Sequence, residues 1–275
     1  MANAEFHIHT SISWCAAPDM TPEAMQAQAT RAGLSVMGFA DHLWLDPRRG
    51  SRPAVPWILR LREGLARLPA GGPRHLLGAE ADCAPGLGAA GGDALRQLDF
   101  VVAAYHFADV RAGLVPWPRT VEELAARVLD GFRSLLDAPA ARIAGHPFFI
   151  PPSVYRRLPE AVQERLGDVF AIVALGAGRF LPLAAERGIA IELNVKALGP
   201  WSREVMLPVL RTARECGCRF ALSSDAHRLD EIGRTRGLAG YLRDAGIGDR
   251  DLVTGDEFAL EDERSPGTGR ASGAA

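Results

Sequence analysis

The stretch Glu5-Phe6-His7-Ile8-His9-Thr10 places two imidazoles two residues apart near the start of the chain. In a strand, residues two apart share a face, so His7 and His9 project together and Ile8 enters the opposite layer. Two adjacent imidazoles suit a divalent transition metal. Further donors recur downstream: His42, Glu80, His106, His146, Asp225 and His227. Imidazole and carboxylate without thiolate pairs suit Zn, Mn or Fe rather than a structural zinc site. These ligands exceed the needs of one ion. A carboxylate such as Glu80 can bridge two ions, so a multinuclear centre is expected.

Donors scattered in sequence need elements that gather them. The pattern predicts strands over 5–10, 34–40, 75–79, 98–104, 142–145, 189–193 and 219–222. Leu34 to Ala40 (LSVMGFA) is a short apolar run, as in a strand buried on both faces. Helices are expected between them. Thr21-Pro22-Glu23 supplies a cap, a first-turn proline and an acid for one ending at Gly33. Others are expected over 57–68, 118–136, 152–166, part of 169–187, 201–216 and 231–245. Strand–helix alternation argues an α/β fold, either a parallel barrel or a doubly wound sheet. In a barrel, the C-terminal strand ends meet on one rim, where active sites form. Six of the seven histidines fall at or beyond such an end, and His75 is the exception.

At 275 residues, with 48% hydrophobic and 23% charged residues, the chain has the composition of a globular protein with a sizeable core. The formal net charge of −2 argues against long nucleic acid as a partner. Cys15, Cys83, Cys216 and Cys218 form no CxxC pair or disulfide framework. Neither a signal-peptide layout nor an apolar run of membrane-spanning length is present. A cytoplasmic protein without membrane contact is the expectation. Residues 1–262 are read as one barrel domain and 263–275 as a small, polar, disordered tail.

The chain resembles the PHP (polymerase and histidinol phosphatase) family of metal-dependent phosphoesterases. The resemblance rests on HxH at His7 and His9, ADH ending in His42, GAE ending in Glu80 and AYH ending in His106. AGHP at His146 and SSDAH at Asp225 and His227 follow in the same order. It spans about residues 5–240 and implies a distorted (β/α)7 barrel. It also implies one ion on His7, His9, Glu80 and Asp225, and a second on Glu80, His106 and His146. A third would lie on His42, His227 and the position six residues after His9. That position is Cys15 here, and a thiolate there would alter the metal preference. Glu5 stands where the family usually has Asp.

The implied activity is hydrolysis of a phosphate ester on a small phosphorylated metabolite. A water shared by two ions loses its proton near neutral pH and becomes the nucleophile, and the ions offset charge on the leaving oxygen. Asp225 and Glu80 are expected to orient that water, and His227 or His42 to protonate the leaving group. Lys196, Asn194, Arg228 and Arg48 are candidate substrate contacts. Arg49 and Arg52 share the long loop with Arg48. Two other readings remain open. One is a phosphodiesterase or nuclease acting on nucleotides or short oligonucleotides. The other is an amidohydrolase-like hydrolase, although Lys196, the only lysine, is poorly placed as a carboxylated ligand.

Overall fold

The computed structural model describes residues 3–45, 54–198 and 203–258. Strands β1 (Ala4–Ile8), β2 (Val36–Leu43), β3 (Arg74–Ala84), β4 (Phe100–Ala104), β5 (Ile143–Ala144), β6 (Ala190–Asn194) and β7 (Phe220–Ser223) lie side by side in chain order. Every neighbouring pair among them is parallel. A bridge between Ile8 and Ala226 joins the first strand to the chain leaving the last. There the His9 amide donates to the Ala226 carbonyl at 3.0 Å. The result is the nearly closed α/β barrel expected. Its principal helices are α1 (Pro22–Ala32), α2 (Val55–Leu65), α3 (Val121–Leu136), α4 (Leu166–Ala177), α5 (Arg203–Glu215) and α6 (Ala239–Ala245). Capping of α1 follows its sequence: Thr21 Oγ1 accepts from the Ala24 amide, and Gly33 closes the helix at φ 73°.

Several boundaries differ from expectation, each for a local reason. β2 and β3 run on to Leu43 and Ala84 because their pairing continues through His42↔Glu80 and Leu43↔Ala81. His42 and Glu80 therefore stand inside strands and not beyond them. The helices expected over 152–166 and 169–187 are divided into Pro152–Tyr155, Glu160–Gln163, α4 and Leu181–Glu186. Pro159 begins the second piece, and Gly178 and Pro182 separate the last two. In place of a helix starting at Glu231, two 3-10 turns precede α6, with Gly233 at φ 90° between them. The loop arginines Arg48, Arg49 and Arg52 and the tail 263–275 lie outside the described residues.

The barrel interior is layered. Its lower layers are apolar: Phe6, Val36, Leu76, Phe100, Val102, Ile143, Ala190 and Ala221 form one cluster, with Phe258 below them. The Phe100 ring occupies space left by two glycines. A Cβ on Gly78 would meet ring carbons at 2.6 Å, and one on Gly38 would meet the ring at 2.8 Å. The upper layer is polar. The change of layer on β1 requires an irregularity. Glu5 pairs with Met37 and Ile8 with Phe39, so three steps on β1 match two on β2. This bulge lets Phe6 join the barrel core while Ile8 faces the outer layer with Met25 and Phe39. His7 and His9 then project into the polar layer on either side of Ile8.

Gly78→Ala is expected to lower stability by about 1–3 kcal/mol through overpacking against Phe100. A urea midpoint equal to that of the parent would contradict this packing account.

Candidate metal centre

Glu80, near the middle of the long strand β3, is the hub of the polar layer and is 1% exposed. Its two oxygens face different imidazoles. Oε1 lies 2.8 Å from His146 Nε2 and 3.2 Å from His106 Nε2. Oε2 lies 3.4 Å from His7 Nε2 and 3.6 Å from His9 Nε2, and also contacts His42 Nδ1. Asp225 Oδ1 approaches from the opposite wall, 3.2 Å from His9 Nε2, 3.8 Å from His7 Nε2 and 3.5 Å from His227 Nδ1.

Among the described residues, four triads have donor atoms within 4.8 Å of one another. They are His7–His9–Asp225, His7–Glu80–His146, His42–Glu80–His106 and His9–His42–His227. Cys15 enters none of them. It is half-buried, and burial with the nearby Glu80 charge pushes its thiol up to about 12. A Cys15 thiolate is therefore disfavoured at neutral pH.

The chemistry of the donor set fits divalent cations. His7 Nε2, His42 Nδ1 and Glu80 Oε2 are buried and form no hydrogen bond of good geometry, although both imidazoles lie at ion-pair distance from that oxygen. Buried polar atoms seldom stay unpaired, and these converge on one space. Burial opposes ionisation of Glu80, but His42, His7 and His106 outweigh it and hold the carboxyl well below its usual range. Asp225 is likewise lowered despite burial, chiefly by His7 and His9. Burial and the neighbouring His42 depress His9. His7 is raised against its burial by Glu192, Glu80 and Asp225, and His106 is raised to about 9 by Glu80 and Asp82. The pocket thus favours positive charge, and crowded imidazoles cannot all supply it as protons.

A second set of acids, missed in the sequence, orients these rings from behind. Glu192 Oε1 lies 2.7 Å from His7 Nδ1, and its Oε2 accepts the His146 amide at 2.5 Å. Asp82 lies 3.3 Å from His106 Nδ1. Ser13 Oγ sits 3.4 Å from His9 Nδ1 and donates to Asp41 at 2.6 Å. Asp41 also accepts from the Thr10 amide and hydroxyl. Such partners fix the tautomer of a ligating imidazole and raise its basicity. A sequence signal existed for two of them. Asp82 is two residues after Glu80 and so shares its face of β3. Glu192 alternates with Asn194 on β6.

The backbone is also constrained here. His146 and Asp225 hold positive φ angles of 26° and 52°, and Phe107, next to His106, holds 60°. Non-glycine residues adopt this region only when surrounding contacts impose it.

The expected substrate contacts divide. Lys196 Nζ lies at the rim, 2.5 Å from the Asp225 carbonyl, 2.9 Å from Glu231 and 3.3 Å from His227 Nδ1. Asn194 is buried, and its Oδ1 accepts the Lys196 and Ala197 amides while Nδ2 faces Glu192. Its amide supports the chain turn that carries Lys196. Arg228 is exposed and meets Asp230 at 3.3 Å, and Arg48 is outside the described residues. Trp44 covers the centre from the side, its ring 4.3 Å from that of His42 and 4.9 Å from that of His106. Glu5 does not face the centre. It accepts from Ser224 Oγ and the Gly233 amide, tying β1 to the loop after β7. Among the described residues, no helix is long and apolar enough to cross a membrane.

No family model matches the chain. It is 28% identical over 258 residues to a Deinococcus radiodurans protein named "Probable histidinol-phosphatase", with 87% of this chain and 92% of that protein covered. Two solved structures share the fold. One is histidinol phosphate phosphatase from Lactococcus lactis, complexed with zinc, L-histidinol and phosphate. It has a TM-score of 0.63 and 16% identity, covering 90% of this chain and 95% of that one. The other is the Listeria monocytogenes "putative histidinol phosphatase hisK", with a TM-score of 0.57 and 17% identity, covering 86% and 99%. The barrel is therefore similar, over nearly its whole length, to the histidinol phosphatase fold.

Proposed function

We propose that this protein is a metal-dependent phosphomonoesterase acting on a small phosphorylated metabolite of the histidinol phosphate type. The observation that carries this reading is the division of Glu80. One buried carboxylate presents its two oxygens to two separate groups of imidazoles. That arrangement suits a bridging ligand between two cations. His7, His9 and Asp225 would complete one site, and His106 and His146 the other. His42 and His227 would serve a third, which Cys15 joins only if its thiol ionises. The likeness to histidinol phosphatases supports phosphate-ester chemistry over amide hydrolysis.

When bound, such ions supply Lewis-acid stabilisation of phosphoryl oxygens and lower the pKa of water. The chain supplies the rest. Glu80 and Asp225 remain ionised through the neutral range and are poised to hold cations and to orient a water as hydrogen-bond acceptors. Glu192, Asp82 and Asp41 keep the rings aimed. His227, 4.2 Å between ring centroids from His9 and near the Lys196 ammonium, lies where the site opens; when it holds no cation it is placed to hand a proton to a leaving oxygen, though burial lowers its pKa. Lys196 is placed to attract the phosphate dianion at the rim.

The direct test is metal-supplemented expression, elemental analysis, and turnover on histidinol phosphate, other phosphomonoesters, a phosphodiester and an amide. Two or three transition-metal ions per chain are expected, with turnover on monoesters. A metal-free protein, or hydrolysis of the amide alone, would reject the reading.

Loss of a ligand and loss of a supporting acid should differ in degree. Asp225→Ala is expected to reduce turnover by about 100-fold or more while the fold, followed by circular dichroism, persists. Glu192→Gln should cost about 10–100-fold in metal affinity or activity. Parent-like turnover in Asp225→Ala would exclude this centre as the catalytic one.

Metal binding should release protons. His7 and His106 are raised, His106 to about 9, so both carry protons at pH 7 in the metal-free protein. A cation must displace them, and its apparent affinity should climb as pH rises toward 9. Calorimetric titration in buffers of differing ionisation enthalpy reads the proton count. A buffer-independent heat would contradict this protonation scheme.

A further inference from the structure

The opposite end of the barrel carries a second concave site with different chemistry. A cavity of about 470 Å³ opens beside the N-terminal ends of β4 and β5, far along the strands from Glu80. Arg96, Arg142 and Arg187 line it, with Phe100 and Phe258 among its apolar residues. Two carboxylates also reach it, but both are already engaged. Asp99 accepts from Arg62 at 2.8 Å and from the Leu77 amide at 2.7 Å. Asp137 is held by Arg133 at 2.8 Å and Arg187 at 2.7 Å, and these arginines lower its pKa despite partial burial. Among the described residues, neither the Arg96 nor the Arg142 guanidinium takes part in an ion pair or hydrogen bond, and both side chains are exposed.

Two unopposed guanidiniums thus share one cavity with an aromatic wall. Arg142 also lines an adjoining space of about 300 Å³ that Phe258 shares. The turn that forms the cavity wall is itself constrained: Ala140 holds a left-handed φ of 58°. Alanine gains nothing locally from that conformation, so surrounding contacts impose it. Arginine is the residue suited to planar, two-pronged recognition of phosphate and carboxylate oxygens.

We propose that this cavity is a binding site for a small phosphate-type dianion, held between Arg96 and Arg142 and separate from the metal centre. The charge count favours a dianion over a monoanion, because among the described residues two guanidiniums there have no counter-charge. The ligand is free phosphate or the phosphoryl group of a small ester whose apolar part reaches Phe100 and Phe258. The site rests on its own residues and not on the phosphatase reading.

The test is calorimetric titration of the metal-loaded full chain with inorganic phosphate and, separately, with phenylphosphonate, whose C–P bond a phosphatase does not cleave. The parent is compared with Arg96→Gln/Arg142→Gln. The parent should show one binding event more than the variant, or one weakened about tenfold or more in it. That difference is expected whether or not the metal centre also binds phosphate, so the two readings fail separately. Tighter binding of phenylphosphonate would assign an ester, and equal binding free phosphate. Identical isotherms for parent and variant would overturn the site. Should the variant fold poorly, crystals of the parent grown with phosphate decide: an anion within hydrogen-bond reach of both guanidiniums supports the site, and none there overturns it.

Discussion

A carboxylate taken out of water into a barrel interior costs several kcal/mol unless it is paired and hydrogen-bonded. Glu80 meets that cost in company, because His7, His9, His42, His106 and His146 all stand within ion-pair distance. The arrangement is conditional. Imidazoles that crowd one carboxylate repel each other once protonated and leave nitrogens unpaired once neutral. His7 Nε2 and His42 Nδ1 face the Glu80 carboxylate at ion-pair distance without a well-formed hydrogen bond. A small multivalent cation resolves both difficulties, since it offers positive charge without protons and partners for the lone pairs. The upper layer of this barrel is therefore organised around the charge of Glu80, and the surrounding structure can be read as what keeps that carboxylate and its imidazoles in place.

That structure works in two shells with different tasks. The apolar floor, where Phe100 fills the room left by Gly38 and Gly78, fixes the spacing of β2, β3 and β4. The strands then deliver His42 and Glu80 at matching heights, as the register His42↔Glu80 shows, with His106 just past the end of β4. Behind the rings, Glu192, Asp82 and the Ser13–Asp41 pair hold the outward nitrogens. A ring held by its outer nitrogen has little freedom to rotate, so its inner nitrogen is pre-aimed. Positive φ at His146 and Asp225 belongs to the same logic, because strained backbone persists only where many contacts agree on it.

Much of this was legible in the sequence, for a definite reason. Histidines are few, and their position at strand ends is a topological statement that a barrel converts into proximity. The alternation of His7, Ile8 and His9 held as expected, with Ile8 packed outside. What escaped was whatever depends on register and not on residue type. The bulge on β1 leaves no composition signal, yet it decides that Phe6 and His7 can both face inward. The extension of β2 and β3 past Asp41 and Glu80 comes from pairing between strands, which a single-strand pattern does not contain. Asp41 looks in sequence like any acid near a strand end, while Asp82 and Glu192 carry only the weak signal of alternating with Glu80 and Asn194. Cys15 shows the converse limit: its place in the order suggests ligation, while burial with the nearby Glu80 pushes its free thiol up to about 12.

The two ends of the barrel show how one fold separates opposite electrostatic tasks. At the C-terminal rim, depressed carboxylates and crowded imidazoles create a well for cations. At the floor, arginines exceed the free carboxylates and create a well for anions. Between them lie the rings of Phe6, Phe100 and Phe258, whose centroids are 5.3 to 6.1 Å apart. Side chains packed at that density exclude water and its counter-ions from the barrel axis. Each end can then carry surplus charge that the other does not neutralise at close range. An apolar barrel core thus does more than stabilise the fold, because it keeps charge of opposite sign on two faces of one small domain.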